Sequence, residues 1–323
     1  MKKIVILSTI SLPKFIESNH PAEKGLFAEE ELLIIELKQR GFTVLSIPWR
    51  TPDINWNDYD FALIRSTWDY IDDIDAFLTV LAKIEISSCL LINPINTVRW
   101  NINKRYLLEL ENRGVKIVPT LLCSEIDSGM LRTGIWNKQT DGFVIKPLVG
   151  VGAFQTLRIK NLESLCNFDK EEFNRERYLI QPFLKSIQQE GELSFVYFNK
   201  KLSYTTLKRP ASNDFRVQVM YGGTTIPVEP SREDIYAADC VMDALPVLAI
   251  YARIDMVRLP TGQLALIEAE LIEPQLFFSI VNRNAARLAE TIAYILSVDH
   301  KLFPRGRSLE NIVDYDTFCK PPL

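Results

Sequence analysis

Short apolar runs alternate with helical periodicities through the first third of the chain, and no other feature limits the available folds as strongly. Lys3–Ser8 is a compact apolar run. Gly25–Arg40 carries Leu26, Leu33 and Leu37 on one helical face, with Gly41 placed to end the helix. Thr43–Pro48 and Phe61–Arg65 read as strands, Asp72–Ile84 as a helix, and Leu90–Asn93 as a strand ending at Pro94. Asn96–Arg113 reads as a second long helix stopped by Gly114, after which Lys116–Val118 runs into Pro119. Such a β-α-β succession predicts a parallel sheet covered by helices, with functional residues at the carboxyl ends of its strands.

Past residue 120 the texture changes. Short strands are predicted over Phe143–Lys146, Tyr178–Gln181, Leu193–Asn199, Leu202–Leu207, Phe215–Met220 and Thr225–Pro227. A helix over Asp234–Leu245 follows, then a hairpin of Ile250–Arg258 with Gln263–Ile272, and a closing helix over Asn282–Leu296. The fold class read from this order is α/β plus α+β, a Rossmann-like domain followed by two α+β lobes. The length of 323 residues agrees, since about 100–200 residues per domain predicts two or three domains.

Composition removes several function classes. With 37 basic against 41 acidic side chains there is no field for gripping nucleic acid or an anionic membrane. The five cysteines are scattered and never form a CxxC pair, which argues against a disulfide scaffold or zinc ribbon and for a reducing, cytoplasmic setting. Two histidines, His20 and His300, are too few for most His-based zinc sites and for Ser-His-Asp triads. The Met1-Lys2-Lys3 start faintly imitates a signal peptide, but Ile4–Leu7 serves as a buried strand, and no apolar run is long enough to span a bilayer.

The hairpin is the most informative element. On its second strand Glu268 and Glu270 share a face, because side chains alternate with period two. With a connection of even length, Asp255 pairs near Leu266 or Glu268 and joins that face. No basic residue is expected in register between these carboxylates, so either a divalent cation with hard oxygen ligands binds there or the face is a solvated acidic one. Lys146 ends an apolar strand before a loop containing Gly150 and Gly152, a setting for phosphate or for simple snorkelling. Lys104 lies at i+4 from Trp100 and i−4 from Leu108, beside the apolar stripe of the predicted helix. Lys208, Arg209 and Arg216 form a basic cluster suited to carboxylate or phosphate, or to the surface of a turn. Arg65, Ser66, Thr67, Trp68, Asp69 and Tyr70 follow a predicted strand, where they line a cleft, cap a helix through Ser66 or Thr67, or do both. Neither GxxxxGK[ST] nor GxGxxG is present, which sets aside P-loop enzymes and NAD-dependent dehydrogenases.

Taken in order, these features resemble the ATP-grasp superfamily over residues 60–290. The strings that carry the resemblance are Arg65–Tyr70, Asn103–Leu107, Val144–Pro147, Asp214–Gln218 with Tyr221–Gly223, Tyr251–Asp255, and Glu268–Pro274 followed by Leu276 and Phe277. Within the superfamily they are most similar to small bacterial ligases typified by the cycloserine-forming O-ureido-serine cyclo-ligase, and next to bacterial glutathione synthetase and the RimK-type ligases. The resemblance implies a pre-ATP-grasp domain over 1–118, a small lobe over 119–184 and a metal-bearing lobe over 185–323. It assigns Lys104 and Lys146 to nucleotide phosphates, the hinge Gln181, Pro182, Phe183 and Leu184 to adenine, and Glu192 to ribose. Asp255, Glu268 and Glu270 would bind Mg²⁺, with Mn²⁺ as an alternative. Arg216, with Lys208 or Arg209, would face the transferred phosphate, while Arg65, Ser66, Trp68, Asp69, Arg253 and Glu273 would shape the substrate pocket. Two departures stand out: Glu270 replaces the usual asparagine, and the loop Leu148–Phe154 lacks the usual serines.

The implied activity is ATP-dependent ligation of a small amino-acid or peptide carboxylate to an amine through an acyl phosphate. Phosphoryl transfer rests on positioning and charge neutralisation, so the scarcity of histidine is no obstacle. The alternatives are a catalytically silent nucleotide-binding module that regulates a partner, and a sugar-nucleotide transferase using the acidic hairpin. Neither the acceptor nor a homo-oligomeric state is fixed by the sequence.

Overall fold

The β-α-β alternation folds into a four-stranded parallel sheet of β1 (Lys3–Ser8), β2 (Thr43–Pro48), β3 (Phe61–Ser66) and β4 (Leu90–Ile92), ordered β2-β1-β3-β4. The computed structural model describes residues 1–10, 21–123, 141–153, 155–160, 177–212, 214–281 and 283–302, the side chains of 21–28 and 298–302 excepted. Every residue of β3 is buried, as a central parallel strand covered on both faces requires. Period two divides β1 between two cores. Ile4 and Ile6 meet Leu33 and Leu37 of α1 (Pro21–Gln39), whereas Val5 and Leu7 meet the other side. There α2 (Ile74–Glu85) contributes Phe77 and Leu81, and α3 (Ile95–Asn101) contributes Val98. Asp73 starts α2 by accepting from the Ala76 amide at 3.1 Å, two residues later than the sequence reading placed the start.

The long helix expected over Asn96–Arg113 is two helices, α3 and α4 (Tyr106–Asn112). Side chains and a neighbouring strand draw the intervening groups sideways. The Asn101 amide bridges Ala269 O at 2.8 Å and Leu271 N at 2.9 Å. Lys104 N donates to Leu148 O at 2.8 Å, and Asn103 Oδ1 accepts from Arg105 N at 3.0 Å. The helical-stripe argument for Lys104 is thereby corrected: the lysine stands in the turn between helices, not on a helix face.

A second sheet, antiparallel, holds β5 (Leu121–Leu122), β6 (Phe143–Pro147), β7 (Leu157–Ile159) and β8 (Tyr178–Pro182) in the order β5-β8-β6-β7. The third is built from β9 (Glu192–Phe198), β10 (Lys201–Arg209), β11 (Thr224–Val228), β12 (Tyr251–Arg258) and β13 (Leu264–Glu270), ordered β11-β10-β9-β12-β13. Helices α5 (Lys185–Gln189), α6 (Arg232–Ala244) and α7 (Asn284–Leu302) complete the described chain. Lys116–Val118 does not form a strand of its own. Its backbone pairs with Leu266, stitching the first domain's end to the edge of β13.

The strand expected over Phe215–Met220 is also absent. The Asp214 carboxylate accepts from the amides of Phe215 at 2.7 Å and Arg216 at 3.0 Å, which turns the chain. A short 3₁₀ turn, Val219–Tyr221, then leads into Gly222 at φ +81°. Gly223 lies so close to the returning chain that a Cβ would sit 2.1 Å from Val217 O.

Buried side chains lock the parallel sheet to the third sheet. The Asn93 amide donates to Tyr251 O at 2.9 Å and Leu271 O at 2.7 Å, and accepts from Ile250 N at 2.7 Å. The Tyr251 hydroxyl lies 2.7 Å from Ile64 O and 2.9 Å from Ile272 O. These contacts close off backbone groups at the junction that would otherwise each cost about 1–3 kcal/mol. They also fix the carboxyl end of β3 against β12 and β13.

Candidate active site

A cavity of about 630 Å³ opens where the three sheets converge. The carboxyl end of β3 supplies Arg65 and Ser66, and the 3₁₀ turn Trp68–Asp72 supplies Trp68, Asp69 and Tyr70. Opposite stand Lys104, Lys146 with Gly150–Ala153, the hinge Gln181, Pro182, Phe183 and Leu184, and Glu192. The floor carries Arg253, Asp255, Glu268, Glu270 and Glu273, and the 215–221 turn brings Arg216 to the rim. Phe154, at the end of the loop expected to cover phosphate, lies outside the described residues.

Lys208 and Arg209 do not line this cavity. Adjacent residues of a strand face opposite sides. Lys208 opposes Glu192 across β9 and is buried, whereas Arg209 is exposed on the other face. The Lys208 ammonium pairs with Glu192 and stands 2.9 Å from Asp255 Oδ2. Its contacts are those of a positioning group behind the floor.

Within the hairpin Asp255 opposes Glu268, with a register shift after Asp255, and Arg253 opposes Glu270. The expectation that no base stands in register is therefore corrected. Arg253, two residues back along β12, shares the face of Asp255 and pairs with both Asp255, at 2.9 Å, and Glu270. Ser194 adds a hydrogen bond of 2.6 Å to Asp255 Oδ1. Although burial opposes it, Arg253 and Lys208 hold the Asp255 carboxyl well below the usual range. Burial also opposes ionisation of Glu268, but Lys104, 2.9 Å away, and Lys146 keep its pKa below the ordinary value. Desolvation pushes Glu270 up to about 7 against the pull of Arg253, and pushes Glu273 up to about 8 with Glu270 adding to the effect. Lys146 is depressed by burial.

Burial thus disfavours the charged forms of Glu270 and Glu273 in the absence of a further cation, and carboxylate oxygens are the donors a hard divalent cation takes. The side chains of Glu268 and Glu270 are 26% and 31% exposed, whereas that of Asp255 is 2% exposed with its oxygens held by cations and Ser194. Among the described residues no three His, Cys, Asp or Glu side chains converge as a cage. The fit is to a cation held by one or two carboxylates and completed by another ligand, which is the habit of Mg²⁺.

Other groups are held in ways that bear on binding. Lys104 Nζ also donates to Gly150 O at 2.9 Å, tying the loop to the floor. The Thr120 hydroxyl donates to Val118 O at 2.7 Å and accepts from the Gln181 amide at 2.9 Å, which orients Gln181. Arg216 is bonded to Asp214 at 2.8 Å and stacked 3.5 Å over Tyr221, and its hydrogen bond holds Asp214 at about 2. Asp69 accepts from Trp49 Nε1 at 2.7 Å, so its orientation is fixed from outside the cavity. Thr67 occupies the cap position of its 3₁₀ turn without a side-chain capping bond, so the cleft reading of this string stands without the capping one.

Sequence reasoning missed Glu29 and Glu30, which reach the same cavity from α1. The signal was available. Leu26, Glu30, Leu33 and Leu37 follow a four-three-four spacing, which puts an acid in the apolar stripe.

A family model described as the N-terminal domain of D-cycloserine synthetase DcsG matches residues 4–93. The cycloserine biosynthesis protein DcsG of Streptomyces lavendulae is 24% identical over 275 residues, spanning 78% of this chain and 89% of that protein. The crystal structure of D-cycloserine synthetase DcsG superposes with a TM-score of 0.74 at 21% identity, covering 91% of this chain and 99% of its own. The D-alanine–D-alanine ligase of Bacillus anthracis gives 0.67 at 15% identity, over 92% and 98% of the two chains. The ATP-grasp ligase PsnB, complexed with a minimal precursor, gives 0.62 at 15% identity over 91% and 99%. The chain therefore has the fold of the ATP-grasp ligases and is similar, in sequence and in structure, to D-cycloserine synthetase.

Proposed function

We propose that the chain is an ATP-dependent carboxylate–amine ligase acting on a small amino-acid or peptide substrate. The observation that carries this reading is the convergence of Lys104 and Lys146 with Glu268 and Glu270 in one cavity, beside the hinge Gln181–Leu184. Solved relatives of the same fold are complexed with ATP, or with Mg²⁺ and ADP, which supports these two as the partners of that cavity. The three sheets support a division into a pre-ATP-grasp domain over 1–118, a small lobe over 119–184 and a larger lobe from 185 onward. No helix of the described residues is long and apolar enough to cross a membrane. Cys89 and Cys240 are free thiols, which suits a cytoplasmic setting.

In this reading Lys104 and Lys146 neutralise phosphate oxygens, the hinge backbone holds adenine, and Glu192 holds the ribose. Glu268 and Glu270, with Asp255 behind them, would hold Mg²⁺, which supplies charge neutralisation on the phosphates when bound. A substrate carboxylate oxygen forms a bond to the γ-phosphorus as the bond to the bridging oxygen breaks, giving an acyl phosphate and ADP. An amine then bonds to the acyl carbon, phosphate leaves, and the amine loses a proton. Arg253 and Arg216, which line the same cavity, would supply positive charge to the oxygens on which charge develops in these steps. Lys208 acts through Asp255 and Glu192, as a positioning residue.

The test is ADP release over a panel of amino acids and short peptides, with Lys146→Ala and Glu268→Ala as probes. Both variants should lose turnover while keeping a cooperative unfolding transition. Turnover retained in both would overturn the site assignment. Nucleotide binding without ADP release across the panel would favour the regulatory module, for which the sequestration of Arg216 by Asp214 is the supporting observation.

A further inference from the structure

Beside the hinge the cavity has an apolar wall. Val118, Leu184, Ile187 and Ile267 pack into one cluster and line it, and Val144 stands opposite Gln181 across β6 and β8. Gln181 sets an amide into this wall. Its Nε2 donates to Thr120 Oγ1 at 2.9 Å, and the Thr120 hydroxyl donates to Val118 O at 2.7 Å. Val118 is itself fixed, because its amide donates to Leu266 O of β13 at 2.8 Å. A carbonyl only accepts and a hydroxyl has one proton, so this chain of bonds has a single polarity. Turning the Gln181 amide over would set Oε1 against an oxygen whose proton is already spent, or would strip Val118 O of its donor. Val118, Thr120 and Gln181 are all buried, so solvent does not offset either loss. Thr120 lies outside the cavity lining and Gln181 within it, which puts Nε2 on the protein side of the amide. No described residue donates to Oε1, yet that atom is not among the fully buried groups that lack a partner, which fits an oxygen open to the cavity.

We propose that Thr120 is the positioning residue that sets nucleobase selectivity: by holding the Gln181 amide in one orientation it turns an acceptor toward the base, which admits a purine with an amino group at C6 and rejects one with a carbonyl there. The proposal deepens the ligase reading and rests on it for the base lying beside the hinge. A glutamine free to turn over offers either its oxygen or its NH₂ and discriminates poorly between the two purines. Adenine presents an N6 amino donor where guanine presents the O6 acceptor. With the amide pinned, adenine completes a hydrogen bond, whereas guanine brings a second oxygen against Oε1. The apolar wall cannot make this distinction, since both bases offer it the same two-ring plane. A site built to hydrogen-bond a group rejects the analogue lacking it far more strongly than apolar contact does. Thr120 touches neither base nor phosphate in this arrangement and acts only through Gln181.

The experiment is thermal unfolding of the full chain with Mg²⁺, titrated in parallel with adenylyl imidodiphosphate and guanylyl imidodiphosphate. The wild type should bind the adenine analogue about ten- to hundredfold more tightly, the value of one buried hydrogen bond exchanged for an unpaired acceptor. Thr120→Val keeps the shape and removes the hydroxyl, so the preference should shrink to within about threefold. Thr120→Ser keeps the hydroxyl and should restore it. Gln181→Met, which removes the amide behind similar bulk, should lose the preference as Thr120→Val does. A purely structural role for Thr120 would lower both affinities together and leave their ratio unchanged. Equal affinities in the wild type, a wild-type ratio in Thr120→Val, or a ratio in Thr120→Ser as small as that of Thr120→Val overturns the proposal while the nucleotide site stands. The wild-type comparison needs no variant to fold. A shift from neither analogue overturns the proposal and the ligase reading together, so the two failures are distinct.

Discussion

Replacing Lys208 by methionine tests whether the buried charges behind the cavity floor hold one another. Methionine preserves the aliphatic bulk and removes the ammonium that pairs with Glu192 and lies 2.9 Å from Asp255. Asp255 keeps Arg253 and Ser194. Glu192 loses the cation that most strongly opposes its desolvation, and its pKa is already raised by burial. Breaking a buried pair by removing one partner costs about 3–5 kcal/mol, because an uncompensated charge remains. The variant can reduce this cost by protonating Glu192, so the loss depends on pH. Lys208 has a raised pKa, so its contribution is present through neutrality and disappears only as pH climbs past about 10.5. Asp255 has a depressed pKa, so its contribution is present above the ordinary carboxylate range and is lost as pH falls through and below it. Between these limits Glu192, the direct partner of Lys208, carries most of the difference between the two proteins, with a smaller share from Glu270, whose charge Lys208 also favours. The destabilisation should be about 3–5 kcal/mol near pH 8, a loss of roughly 1 M in the urea midpoint, and about 1 kcal/mol near pH 5. Adding Glu192→Gln should recover a large part of the loss, since removing both partners is milder than removing one. Equal destabilisation at both pH values, or a double variant as unstable as the sum of the singles, would refute the electrostatic account and leave lost packing as the cause.

Asn93→Ala leaves Ile250 N, Tyr251 O and Leu271 O without their partner and should destabilise the chain by about 3–6 kcal/mol in urea unfolding. A change below about 1 kcal/mol would mean that water replaces the amide at that junction. Gly223→Ala places a Cβ against Val217 O and must displace the turn that carries Arg216. ADP release should fall by about a hundredfold while binding of the nucleotide analogue, read by thermal shift, changes little.

Much of the floor of the site was legible because period-two alternation is a strong constraint. It put Glu268 and Glu270 on one face before any coordinate was known, and Asp255 joins them across β12. What alternation cannot supply is register. Arg253 falls opposite Glu270 through a pairing with a shift after Asp255, which no spacing in the sequence encodes. The choice between Lys208 and Arg209 has the same origin, since the pairing of Lys208 with Glu192 decides which of two adjacent cations is buried. The long helix through Lys104 and the strand through Phe215–Met220 failed for another reason. Asparagine and aspartate side chains there hydrogen-bond to backbone, at Asn101, Asn103 and Asp214, and outcompete the ladder that apolar periodicity predicts. Glu30 broke a leucine stripe in plain view, and its meaning depended on knowing that the stripe's neighbour is a cavity wall.

The ion pairs of the floor have a thermodynamic consequence for the proposed reaction. Lys104 lies on Glu268, Arg253 on Glu270 and Asp255, and Lys208 on Asp255 and Glu192, so these cations are already neutralised by protein carboxylates. A polyphosphate that recruits Lys104 strands Glu268, and a divalent cation that recruits Glu268 strands Lys104. Each ligand alone leaves a partly buried charge exposed to the other's absence, whereas together they exchange one set of pairs for another. If the proposed reading holds, nucleotide and metal would therefore be linked ligands with a favourable coupling free energy, and linkage would make the coupling reciprocal: each would raise the other's affinity by the same factor.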